Sequence, residues 1–97
     1  MLFRSQIYFA QAEGDYSRVH TYERAYLCTS SLAELARQVP AGRFARIHRS
    51  HVVNLAKVAA VRRVGADTVL LQLADSSQTE LAVARRQVRE LRERLGF

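Results

Sequence analysis

The chain has 97 residues, 48% hydrophobic and 25% charged, and its 15 lysines and arginines against 9 acidic residues leave a formal charge of +6. So short a chain suits one core, contains no apolar run near the roughly 18 residues that cross a bilayer, and with Cys28 as its lone cysteine cannot close an internal disulfide. Because Met1-Leu2-Phe3-Arg4-Ser5 also lacks the basic-then-apolar order of a secretion signal, residues 1–97 are expected to form a single domain in the cytoplasm, off the membrane, with a polyanion as the favoured partner.

From the amino terminus, Ile7-Tyr8-Phe9 forms an apolar run closed by Glu13-Gly14-Asp15, and Tyr16 to Tyr22 alternates in part around Val19 and His20. Two strands joined by a polar turn are implied. Glu23-Arg24-Ala25 is a second turn, followed by a strand over Tyr26-Leu27-Cys28-Thr29. Ser31 stands three residues before Glu34, a capping-box spacing, and Leu32, Leu35, Ala36 and Val39 share one helical face before Pro40 and Gly42 end it. The stretch from Phe44 to Val61 interleaves β-favouring residues with cations and predicts two short strands, or a strand and a bend. Gly65-Ala66-Asp67 separates it from Thr68–Leu73, and Ala74-Asp75-Ser76-Ser77 separates this in turn from Thr79–Val83, a hairpin. Val88, Leu91 and Leu95 recur at helical spacing, with Glu90 four residues before Arg94 to support an exposed face. No βα alternation calls for a parallel sheet, so the expected fold is mainly β, of antiparallel sheets with one short helix and a C-terminal helix.

The densest constellation is Arg43-Phe44-Ala45-Arg46-Ile47-His48-Arg49-Ser50-His51-Val52-Val53-Asn54, where long polar donors alternate with core-type residues. Such donors suit phosphate oxygens and base edges: Arg for guanine, Asn for adenine, Ser or His for the backbone. Of the 15 cations 14 are arginine, whose planar guanidinium binds a phosphate or a guanine edge with two bonds where lysine acts as a point charge. A solvated strand face with scattered arginines, or an arginine bias of the genome, would give a similar composition.

The string Phe44-x-Arg46-Ile47-His48-Arg49-Ser50-x-Val52-Val53-Asn54 closely resembles the signature of LytTR domains, the output modules of LytR- and AlgR-like response regulators. Ile7-Tyr8-Phe9 with Glu13-Gly14-Asp15-Tyr16 and Val19-His20 looks like that family's strand-loop-strand entry, Ser31-Leu32-x-x-Leu35 like its short helix, and Leu81-Ala82-Val83-Ala84-Arg85-Arg86 like its closing segment. The resemblance implies an elongated β-β-β arrangement of antiparallel sheets that places loops in successive major grooves of double-stranded DNA bearing tandem imperfect repeats. It also implies roles: Tyr16 and Ser17 in the first DNA-contacting loop, Arg49 in the base-reading position, and Arg86 reaching a second groove. Arg46, His48, Asn54 and Arg85 are further DNA-binding candidates, with Ser17 and Arg85 placed for phosphate and Arg46 and His48 able instead to brace the loop from inside. No catalysis, cofactor or metal is implied. Family members usually carry more strand sequence before the position of Ile7, so the first strand is expected to be truncated, and Ala84 stands where the family commonly has Ser. Two copies are expected to pair on DNA, or through a sensor or receiver domain that these residues do not include.

Other classes have less behind them. His48 and His51 with Asp15, Asp67 or Asp75 would be a poor metal ligand set, because a cation lies between the two histidines. Cys28 sits between Leu27 and Thr29, where a thiol is more often packed than reactive. Tyr8, Phe9, Tyr16 and Phe44 could stack on unpaired RNA bases, but Tyr8, Phe9 and Phe44 read better as core. The helix from Arg85 to Leu95 has an apolar seam that could dock a protein partner.

Overall fold

Gly14 makes the first reversal of the chain: at φ +63° it takes a left-handed conformation that side-chain-bearing residues resist, and so joins β1 (Phe9–Glu13) to β2 (Tyr16–His20) in a tight antiparallel pair. In this computed structural model residues 3–65 and 68–97 are described. Met1 and Leu2 of the amino-terminal segment and Ala66 and Asp67 of the expected turn after Gly65 lie outside the described residues. A 3-10 turn at Arg4–Gln6 leads into β1, and β3 (Ala25–Cys28) adds to the far side of β2. The capping box forms as expected: the Ser31 hydroxyl accepts from the Glu34 amide at 3.2 Å, the Glu34 carboxylate accepts from the Ser31 amide at 3.2 Å, and α1 (Leu32–Gln38) follows. Those bonds to Ser31 hold the Glu34 carboxyl below the ordinary value.

The segment from Phe44 to Val61 corrects the expectation of two strands or a strand and a bend. It contains β4 (Phe44–His48), β5 (His51–Asn54) and the first half of β6 (Val58–Val64). The physical reason is Asn54. Its side chain accepts from the Ala56 amide at 3.0 Å and donates to the Ile7 carbonyl at 2.9 Å, turning the chain through a 3-10 turn at Leu55–Lys57 and out of the first sheet. Strand β7 (Thr68–Leu73), strand β8 (Glu80–Val83) and helix α2 (Arg85–Leu95) complete the chain. The sheets run β3-β2-β1-β5-β4 and β6-β7-β8, every pairing antiparallel. The fold is thus mainly β with two helices, as the sequence predicts, and is longer than wide at 38 × 25 × 23 Å.

The five-stranded sheet has a core on each face. Ala10, Val19, Phe44 and Val52 meet Leu32 and Leu35 of α1 on one side; Phe9, Ile47 and Val53 meet Leu71, Leu73, Leu81 and Val83 of the second sheet and Leu91 of α2 on the other. Tyr8 is half-buried and Phe9 and Phe44 are buried, which is the core placement expected of these rings. Cys28 packs against the α1 cluster. The apolar seam of α2 is used internally, with Val88 and Leu95 packed beside Leu91. Arg94 does not support an exposed face with Glu90: it donates to the carbonyls of Ala41 at 2.7 Å and Phe44 at 3.2 Å, tying the end of α2 to the segment before β4.

Candidate nucleic-acid interface

Three chain segments meet at one end of the five-stranded sheet. Gln11 of β1 pairs with His51 of β5, so the β1–β2 turn and the β4–β5 turn lie at the same end, and the Ala12 amide donates to the Ser50 carbonyl at 2.9 Å. The Ala84 amide donates to the Ile47 carbonyl at 2.7 Å, which sets the start of α2 beside β4. Between the last two segments is a cleft of about 320 Å³ lined by Arg46, His48, Arg49, Ala84, Arg86 and Gln87. Residues nearly 40 positions apart in the chain thereby share one basic surface.

The β4–β5 turn is held from within. The Arg46 guanidinium donates to the carbonyls of His48 at 3.3 Å and Arg49 at 2.8 Å, and His48 Nδ1 accepts from the Ser50 amide at 3.1 Å. These bonds hold the turn's backbone and leave the Arg49 side chain exposed at its tip. Arg86 is exposed in the first turn of α2, and no carboxylate pairs with Arg49 or Arg86 among the described residues. Arg85 is exposed beside Arg86, and Tyr16, 49% exposed, begins β2 at the neighbouring turn. Ala84 caps α2 without a side-chain bond, so the hydroxyl that a serine would supply there is missing.

Two of the sequence candidates need correction. Ser17 is fully buried, its hydroxyl donating to the Ser30 carbonyl at 2.9 Å, because its place in β2 turns it toward the loop before α1. Asn54 is 2% exposed and engaged with Ile7 and Ala56. Neither side chain is presented at the surface; both hold backbone in place. Sequence reasoning missed Gln87, which lines the cleft one residue beyond the arginine pair, and it took Ser50 as a side-chain donor of the constellation where its amide and carbonyl tie the turn to His48 and β1. The only signal for Gln87 was its helix position.

The remaining charges are arranged differently. Arg18 makes a two-bond ion pair with Glu13, at 2.6 and 3.1 Å, and this hydrogen bonding lowers the Glu13 carboxyl and raises the Arg18 guanidinium from their ordinary values. Arg62 pairs with Glu80 at 3.0 Å. A wider cleft of about 410 Å³, between the first 3-10 turn and the β2–β3 turn, contains Arg24 and Lys57 against Glu23, and Lys57 lies over the Tyr8 ring, 4.9 Å from its centroid. Its mixed charge suits a polyanion less well than the smaller cleft. Among the described residues no group of three His, Cys, Asp or Glu could hold a metal ion, and Asp75 is bonded to the Thr79 amide and hydroxyl. No described helix is long and apolar enough to cross a membrane.

The fold is that of a small β-rich DNA-binding module. The sequence model of the LytTr DNA-binding domain matches residues 1–96, and the chain belongs to the LytTR family. It is 38% identical over 92 residues to the CO-responsive transcriptional regulator RcoM of Rhodospirillum rubrum, covering 94% of this chain and 38% of that protein. It is 33% identical to the heme-containing CO-sensing transcriptional regulator RcoM 2 of Paraburkholderia xenovorans, covering 89% and 32%, and 32% identical to the transcriptional regulatory protein YpdB of Escherichia coli, covering 92% and 36%. The chain thus spans between about a third and two fifths of the length of these relatives. A solved LytTr DNA-binding domain from Bacillus cereus superposes with a TM-score of 0.83 at 26% identity, over 96% of this chain and 84% of that one.

Proposed function

We propose that this domain binds double-stranded DNA sequence-specifically, as the output part of a bacterial transcription regulator acting in the cytoplasm. The observation that carries the reading is the cleft where Arg49 and Arg86, from separate segments and unpaired with any described carboxylate, share one surface. Guanidinium groups free of internal partners suit the O6 and N7 acceptors of guanine in the major groove. Arg49 and Arg86 are the base readers, Tyr16 contacts the adjacent groove, and Arg85 contacts phosphate. Arg46 and His48 serve by holding the turn. The sites read are imperfect direct repeats, where two copies on tandem elements gain affinity from each other's presence or from an attached receiver or sensor domain. The LytTR identity and the names of the relatives support this reading, which involves no catalytic step.

The test is selection of bound duplexes from a randomised pool at low and moderate salt, with Arg49→Ala alongside. Enrichment of a short repeated motif that the variant loses is expected. Binding that weakens with salt but enriches nothing would reduce the domain to a nonspecific polyanion binder; no binding at either salt would overturn the assignment.

A further inference from the structure

On the face of the five-stranded sheet that meets β7 and β8, four rings follow one another across four neighbouring strands. His20 of β2 stacks on Phe9 of β1 with centroids 4.1 Å apart and planes 7° from parallel. Phe9 lies 6.2 Å from the ring of His51 in β5, and His51 lies 5.8 Å from His48 at the end of β4. Strand register accounts for the row: Phe9 opposes His20, and His51 opposes both Gln11 and His48. Within it, His20 Nε2 and His51 Nδ1 are buried with no hydrogen-bond partner among the described residues. At the end of the row, His48 Nδ1 accepts from the Ser50 amide, so the row ends on the backbone of the turn itself.

We infer that this row makes the reading turn sensitive to protons: charging His20 and His51 in mild acid forces the buried row apart, disturbs the turn that His48 and Arg46 hold, and weakens DNA binding. The inference rests on the reading of Arg49 as a base reader. Most of the surroundings oppose the added charge. Burial is the main cause that holds His20 below the ordinary histidine value of 6.5; Arg18 adds to it, while Asp75 and Glu13 work against it. Burial likewise lowers His51, with His48 and His20 adding to the effect. Arg46, Arg49 and Arg86 line the cleft around His48. Because the unfolded chain takes up these protons first, neutral His20 and His51 contribute their full stability above about pH 6.5, and the contribution falls as pH drops below that value toward the lowered folded ones. The expected sign is distinctive, since acid that merely added positive charge beside phosphates would strengthen binding.

The experiment measures affinity for a selected duplex from pH 8 to 5.5 at constant ionic strength, and follows the Ser50 and Arg49 amide resonances of the free protein over the same range. Affinity is expected to fall about fivefold or more between pH 7.5 and 5.5, with the Ser50 amide moving together with the histidine ring protons. Replacing His20→Phe and His51→Phe keeps the rings but removes two titrations, and should shrink that fall by at least half. Affinity that stays constant or rises in acid, or an equal fall in the double variant, overturns the inference. Should the variant not fold, a Ser50 amide that acid leaves unmoved overturns it in the wild-type chain. Absence of binding at pH 8 would instead overturn the reading of Arg49, while the amide titration would still decide whether the row and the turn are coupled.

Discussion

Arg18 and Arg62 lie along strands, each with its guanidinium held by a carboxylate, Glu13 at 2.6 Å and Glu80 at 3.0 Å. Arg49 and Arg86 sit at a turn and at a helix start, where the arginines around the cleft meet no described carboxylate and the Arg46 guanidinium is bonded to backbone carbonyls of the turn. All four look alike in composition. What separates them is whether the fold supplies a counter-charge, so an excess of +6 marks a polyanion surface only where it is left uncompensated.

The largest effect should come from a residue that belongs to neither group. Asn54→Ala leaves the buried Ile7 carbonyl and the part-buried Ala56 amide without their partners, which should cost about 2–3 kcal/mol of stability in urea denaturation. Its DNA preference, measured where the variant is folded, should not change; a relaxed preference would return Asn54 to the readers. Next, Arg49→Ala should lose about 1–3 kcal/mol on the selected site and relax its preference, whereas Arg85→Ala should weaken all duplexes alike and lower the salt slope by about 1. Reversed behaviour in binding assays across several duplexes would exchange their roles. Ala84→Ser restores a capping hydroxyl at the start of α2 and should raise stability by about 0.5–1 kcal/mol, seen as a higher melting temperature. Smallest of all, Arg62→Ala should change stability by less than about 0.5 kcal/mol, since the pair is largely exposed, and should leave DNA affinity where it was. A clear loss of affinity in that variant would break the distinction between paired and unpaired arginines.

Much of this architecture was legible in the residues. The Glu13-Gly14-Asp15 turn, the Ser31–Glu34 capping box, the β7–β8 hairpin and the terminal helix each follow from short-range chemistry that needs no distant partner. Arg46, His48 and Arg49, which line the cleft, lie in the stretch that carries the resemblance. The roles within it were not legible, because alternation along a strand does not say which face another element will cover. Ser17 and Asn54 look like donors for DNA, yet β2 and the exit from the first sheet bury both.

The sequence by itself determined most of the local elements and the family, since periodicity, capping and a specific motif all act within short stretches of chain, but it suited one core where the structure has two. Only the tertiary structure decided that Arg49 and Arg86 share a cleft, that Arg46 bonds the carbonyls of the turn, and that three histidines fall into one row across four strands. Those outcomes depend on strand order β3-β2-β1-β5-β4 and on the packing of α2 against β4, which are set by the burial of two cores at once and by no single segment.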